Sequence, residues 1–185
     1  MRKMLTYMEE KYGESFSPLG PFNGQFGKEY VMLEVKSQTG PQEGILVRRI
    51  PTKGQECYQD NYLAFILKED LEKRIKEAAE QTLGKCRVNY RVPELVFPAD
   101  FSPDMTAEEF LVNPLSMVKV VIEPEEIRKA PEEMADAFLK SMKERGYCIG
   151  GAILFPDGQK AIFSIGEEGI LKYLEWRRET WANGT

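Results

Sequence analysis

A chain of 185 residues with 42% hydrophobic and 30% charged side chains has the composition of a globular domain that builds its core without disulfides or metals, not that of a disordered segment. Its formal net charge of -5 argues against nucleic-acid binding, which needs clustered cations for phosphate contacts. The sequence contains no histidine, and this removes Ser-His-Asp and Cys-His catalysis, imidazole metal ligation and the usual proton shuttle near neutral pH.

At the amino terminus Met4, Leu5, Met8 and Tyr12 recur at helical spacing, and Gly13 stands where a left-handed cap belongs. A loop rich in glycine and proline is predicted over 15–27. Residues 29–36 and 44–50 read as the strands of a hairpin, with turn residues over 38–43. Asp60 or Asn61 can cap the most convincing helix, which ends at Gly84 and carries Leu63, Leu67, Leu71, Ile75 and Ala79 on one stripe. On its other faces Glu69, Asp70 and Glu72 stand four residues before Lys73, Arg74 and Lys76. Residues 85–92 form the next predicted strand, stopped by Pro93.

Between Pro93 and Pro114 the chain carries several prolines and one short helix, whose start, Thr106-Ala107-Glu108-Glu109, has the capping-box pattern. The apolar run over 116–122, broken only by Lys119, reads as a central strand. Pro131 takes the first position of a helix that buries Met134, Ala135, Phe138, Leu139 and Met142 and is closed by Gly146. Strands over 148–155 and 160–165 meet at Pro156-Asp157-Gly158-Gln159. A last helix is predicted over 168–181, with Ile170, Leu174 and Trp181 on one side.

The predicted order α-β-β-α-β-α-β-α-β-β-α describes an α+β fold, a largely antiparallel or mixed sheet covered by helices, with 116–155 as a local parallel crossover. The length fits a single α+β domain over 1–185, or two lobes, 1–92 and 115–185, joined by the proline-rich segment 93–114. Glu9 and Glu10 cut short the amino-terminal apolar stretch, and no segment approaches the roughly 18 apolar residues of a membrane span. A cytoplasmic protein without a membrane span is expected as the chain stands, and an extracytoplasmic one if a leader has been removed.

Cysteines stand at 57, 86 and 148 with no Cys-x-x-Cys pair, so neither a zinc knuckle nor a thioredoxin-type centre is available. Cys57, in the polar stretch 55–60 before a helix, is the candidate thiol nucleophile, but Glu56 and Asp60 oppose a thiolate there. Carboxylate chemistry has three candidate groups: Asp100 with Asp104, Glu108 with Glu109, and Glu123 with Glu125 and Glu126. Their density falls short of a calcium loop, and the helix dipole accounts for Glu108 and Glu109. Gly20, Gly24 and Gly27-Lys28 suggest a phosphate loop, yet Phe22 and Glu29 occupy positions where that motif needs glycine and a hydroxyl residue. No catalytic residue, metal ligand or cofactor is assigned. The segment 58–64 stands apart, because tyrosine supplies contact area and a hydrogen bond together. Tyr58, Asp60, Asn61 and Tyr62 are therefore the candidate binding residues, weighed against a helix cap with tyrosines lying on a sheet edge.

Two stretches, Tyr7-Met8-Glu9-Glu10-Lys11-Tyr12-Gly13-Glu14-Ser15-Phe16 and Asp60-Asn61-Tyr62-Leu63-Ala64, resemble motifs in an uncharacterised family of small proteins and lipoproteins from Gram-positive, Firmicutes-type gut bacteria. The resemblance spans the first half of the chain and implies no activity, cofactor or functional residue. Some members are exported behind a lipid-anchor leader, and this chain departs from them in showing none. The function expected from the sequence is non-enzymatic binding of another protein, as in an accessory of a mobile element. An immunity or antitoxin-like protein against a basic partner is the first alternative, and a carboxylate-based hydrolase is the second. Oligomeric state is left open.

Overall fold

The structure, a computed structural model, describes residues 1–21, 30–51, 54 and 56–175, leaving aside the side chains of 173–175. The chain is α+β and forms two sheets in two compact units. The units interleave in sequence. One takes Met1–Leu67 with Val92–Met105, and the other takes Lys68–Arg91 with the chain from Thr106 onward.

In the first unit α1 (Arg2–Tyr12) ends at Gly13, whose φ of 70° lets its N–H reach the Glu9 carbonyl. Four strands follow, β1 (Phe16–Pro21), β2 (Val31–Ser37), β3 (Ile45–Pro51) and β4 (Glu56–Asp60), paired antiparallel in chain order. The short α2 (Tyr62–Ile66) closes the run. Met4 and Met8 of α1 pack on Leu33 and Val35 of β2 and on Ile45 and Val47 of β3. The alternate residues Met32 and Leu46 point the other way and meet Val96. Both faces of the β2–β3 pair are thus covered, and the predicted hairpin is present.

Two stretches predicted as loops are strands here. Part of 15–27 forms β1, an edge strand that accommodates Pro18 beside a bulge. The polar stretch before residue 60 forms β4, with Tyr58 opposite Arg49 and Asp60 opposite Val47. Neither carries apolar alternation, so only pairing with β2 and β3 defines them.

The second unit holds α3 (Lys68–Leu83), β5 (Cys86–Arg91), α4 (Ala107–Val112), a 3-10 turn at Pro114–Ser116, β6 (Val118–Pro124), α5 (Pro131–Glu144), β7 (Ile149–Leu154), β8 (Lys160–Gly166) and β9 (Gly169–Glu175). The sheet runs β5-β6-β7-β8-β9, antiparallel except for the β6–β7 pair. That parallel pair, connected through α5, is the crossover expected over 116–155. Thr106 and Glu109 form both halves of the capping box on α4. Helix α3 packs on β5 and α5, and α5 on β8 and β9. Leu71, Ile75, Phe138 and Met142 are buried with Val120, Ile122, Ile153 and Phe163. The opposite face of this sheet exposes Lys119 and Ser164 and leaves Gly150, Ala152 and Ile162 half-buried.

Two predicted helices change. The helix drawn from residue 60 to Gly84 is interrupted at Leu67, and its pieces α2 and α3 belong to different units. No glycine or proline marks the break. The expected pairs along α3 are redirected as well: Arg74 reaches Glu108 at 3.1 Å, and Glu72 accepts the Tyr90 N–H at 2.9 Å. The last helix, predicted over 168–181, is instead the strand β9 as far as Glu175. Gly166 pairs with Gly169 across the two-residue turn Glu167-Glu168, a hairpin geometry that the i,i+4 spacing of Ile170 and Leu174 obscures. Trp181 lies outside the described residues. Among the described residues no helix is long and apolar enough to cross a membrane.

Candidate functional site

The alternation of β4 turns Tyr58 and Asp60 toward α1 and turns Gln59 toward Arg48, which donates to it from Nε at 2.8 Å. On the α1 side Asp60 is 2% exposed. Its Oδ1 accepts from the Tyr12 hydroxyl at 2.6 Å and from the Tyr62 N–H at 2.9 Å. Its Oδ2 accepts from the Tyr7 hydroxyl and from Lys11 Nζ, both at 2.7 Å. The ammonium also donates to the Tyr7 oxygen and lies 5.1 Å from the Tyr12 ring centroid. Burying a carboxylate is costly unless such a set of donors satisfies its oxygens.

A second carboxylate sits on the other side of Tyr62. Glu14 accepts from the Ser37 and Thr39 hydroxyls at 2.6 Å each and from the Tyr62 hydroxyl. The Tyr62 ring stands edge-on to Tyr12 at 4.9 Å and to Phe16 at 5.1 Å, while Tyr7 stacks on Tyr58 at 5.2 Å. The neighbouring Asn61 is buried too. It accepts the Leu46 N–H at 2.7 Å and donates to the Gly44 and Pro93 carbonyls.

Of the four candidate binding residues, Asp60, Asn61 and Tyr62 are therefore buried with their side-chain polar atoms bonded inside the unit. Tyr58 is half-buried and donates to Glu56. The two stretches that carry the family resemblance converge here, since Tyr7, Lys11, Tyr12, Glu14 and Phe16 of the first enclose Asp60 and Tyr62 of the second. Sequence reading singled out the second stretch alone. Two signals for the rest were present: Tyr7 and Lys11 stand one helical turn apart, and Glu56, Tyr58 and Asp60 alternate.

Burial, with the Asp60 charge and hydrogen bond adding to it, pushes the Tyr7 and Tyr12 hydroxyls far above their ordinary range. Burial and the bond to Glu14 push Tyr62 up to about 12. A phenol whose folded value exceeds its unfolded value of about 10 stabilises the fold fully below pH ~10 and loses that contribution as pH rises through the folded value. These three tyrosines are expected to stay protonated above pH ~10 until the first unit unfolds. Tyrosinate absorbance and circular dichroism should then change together in an alkaline titration. Ionisation of all eight tyrosines near pH ~10 with the dichroism intact would refute this. At acid pH Glu14 acts in the opposite direction. Burial pulls its value upward, but the bonds from Ser37, Thr39 and Tyr62 together outweigh that and hold it below the carboxylate norm. Its contribution is complete above its unfolded value and lost as pH falls through the folded one.

The other candidate groups are separated. Asp100 and Asp104 are exposed in the first unit. In the second, Glu123 pairs with Arg87 at 4.0 Å, Glu125 with Lys85 at 2.9 Å, and Glu126 with Arg128. Glu108 accepts from the Tyr147 hydroxyl at 2.9 Å. Cys57, Cys86 and Cys148 are free thiols, and burial pushes Cys86 up to about 11. Among the described residues no three His, Cys, Asp or Glu side chains gather as a metal site. Gly24, Gly27 and Lys28 lie outside the described residues.

One end of the second unit's sheet forms a cleft that sequence reading did not find. It encloses about 240 Å³ between Met117, Lys119, Cys148, Gly150, Ser164 and Gly166. A second hollow of about 310 Å³ shares Ser164 and Gly166 and continues past Glu167 to Ile170 and Leu171. Leu115 and Met117, around the 3-10 turn, and Ile170 and Leu171, at the start of β9, are exposed at this end. Its floor is Gly150, at the start of β7, where β6 and β8 both stand alongside.

No protein-family model and no curated protein matches the chain. Among solved structures it is similar to a DUF5037 family protein from Ruminococcus gnavus ATCC 29149, whose crystal structure was determined at 2.55 Å resolution. The two share 17% identity over 85% of this chain and 75% of that one, with a TM-score of 0.43. That protein belongs to an uncharacterised family and comes from a Firmicutes gut bacterium.

Proposed function

We propose that the protein is a non-enzymatic binding protein for another protein, with its contact surface at the cleft end of the second unit's sheet. The carrying observation is Met117. Its φ of 49° and ψ of 44° place it in the left-handed region, where among the described residues every other positive φ belongs to glycine. That conformation costs a side-chain-bearing residue about 1–2 kcal/mol, and Met117 is nevertheless 49% exposed at the cleft. A strained backbone that presents a flexible apolar side chain to solvent is explained by what the side chain meets when a partner is bound. Leu115, Ile170 and Leu171 extend the same apolar frame. The tyrosine-carboxylate network of the first unit supports the non-enzymatic part of the reading, because its donors and acceptors already satisfy one another.

A photocrosslinking residue in place of Leu171, expressed in the native host, is expected to capture a discrete partner that the same probe at exposed Ile127 does not. Met117→Gly is expected to raise stability by about 1 kcal/mol by relieving the backbone, while lowering capture of that partner. Identical capture patterns at positions 171 and 127 would dispose of the reading.

A further inference from the structure

We infer that the cleft takes an extended peptide carrying an acidic side chain two positions from an apolar one, an inference that rests on the cleft being a contact surface. The argument comes from one row of residues across the sheet. Arg91 stands directly opposite Lys119, Lys119 beside Gly150, Gly150 opposite Ser164, and Ser164 opposite Leu171. Successive members are one strand spacing apart, about 4.8 Å. Arg91, Lys119, Ser164 and Leu171 are exposed.

Two cations facing each other across a strand pair repel. Among the described residues neither Arg91 nor Lys119 forms an ion pair, although the same two strands neutralise Arg87 with Glu123. In a chain of net charge -5, carboxylates are plentiful, and among the described residues none is placed on this pair. An anion bound between the two side chains removes the repulsion and gains two charge-assisted contacts. One strand further along, Gly150 carries no side chain, and its neighbours Met117 and Ser164 wall the hollow of about 240 Å³. Leu171 stands beyond Ser164 as a further apolar wall. An extended peptide sends residues i and i+2 to one face about 6.7 Å apart, so a carboxylate over Arg91 and Lys119 places the apolar side chain over Gly150. All main-chain pairing at β7 is taken by β6 and β8, which leaves recognition to side chains.

The test uses the full chain and two fluorescein-labelled decapeptides, one repeating Glu-Ser-Leu-Ser, which sets each leucine two positions from a glutamate, and the other repeating Lys-Ser-Leu-Ser. Fluorescence anisotropy at about 50 mM salt, where the Debye length is long, is expected to show the glutamate peptide binding at least about tenfold more tightly than the lysine peptide. In the double variant Arg91→Glu, Lys119→Glu the order of preference should invert. Both substitutions are at exposed positions, and unchanged circular dichroism verifies the fold. An unchanged order in that variant, or no binding of the glutamate peptide up to about 1 mM, overturns the inference. Capture at position 171 that survives the charge reversal overturns it also, while leaving the contact-surface reading in place.

Discussion

Gly151→Ala is expected to destabilise the second unit severely. Gly151 lies in the middle of β7 with φ 150°, and a Cβ there would stand 1.8 Å from the Val120 carbonyl oxygen and 2.8 and 2.9 Å from two further Val120 backbone atoms. The obstacle is the backbone of the parallel neighbour, so no rotamer change relieves it. Separating β6 from β7 would break the one parallel pair at the centre of the sheet. A backbone clash of this kind belongs to the rare substitutions costing about 4 kcal/mol or more, which for a unit of this size lowers Tm by roughly 16 °C at least. Two glycines serve as controls. Gly150→Ala meets the Phe163 carbonyl at 3.3 Å and the Ser164 Oγ and Cα at 3.7 and 3.8 Å, none closer, and Gly158→Ala meets nothing within 4 Å at a φ of 83°. Each is expected to cost no more than about 1 kcal/mol, Gly158 through its positive φ and Gly150 through the single tight contact. Thermal unfolding of the three variants should rank Gly151 far below the others, and equal midpoints would mean that β7 is not held as described.

Asp60→Ala is expected to destabilise the first unit by about 3–5 kcal/mol, the usual cost of leaving one partner of a buried ion pair alone. The substitution strands Lys11, whose side chain is 12% exposed, and leaves two tyrosine hydroxyls and a main-chain N–H without their acceptor. Those groups join α1, β4 and the start of α2, so their loss also removes these polar ties between the helix and β4, leaving the packing of Met4 and Met8. Lys11→Met separates the charge from the packing. Alone it leaves Asp60 buried without its cation, and combined with Asp60→Asn it removes both charges at nearly constant volume. The double variant is expected to recover at least about 1 kcal/mol relative to the sum of Lys11→Met and Asp60→Asn made singly, measured by urea unfolding followed by circular dichroism. Additive losses would show that the ion pair is not coupled, and a cost below about 1 kcal/mol for Asp60→Ala would place the carboxylate in contact with water.

Elements whose signal is local were legible in the residues. Helix α1 with its Gly13 cap, the capping box of α4, the buried stripe of α5 and the β2–β3 and β7–β8 hairpins each follow from spacing and turn chemistry within about a dozen residues. The α+β class and the parallel crossover follow from their order. The candidate segment at 58–62 was legible as unusual, because tyrosines and amides gather there, but not as interior. Its burial depends on Tyr7, Lys11 and Tyr12, about fifty residues earlier in the chain.

Sequence by itself determined the fold class, most of the helices and the lack of imidazole chemistry, since composition and short-range periodicity carry that information. Tertiary structure alone decided that β1, β4 and β9 are strands, because a polar or edge strand is defined by the partner that takes its main-chain hydrogen bonds and that partner is remote in sequence. It alone decided that Asp60 faces inward, through the register of β4 on β3, and that Arg91, Lys119 and Gly150 share a row. A row across a sheet joins residues from separate strands, and no pattern along the chain encodes it.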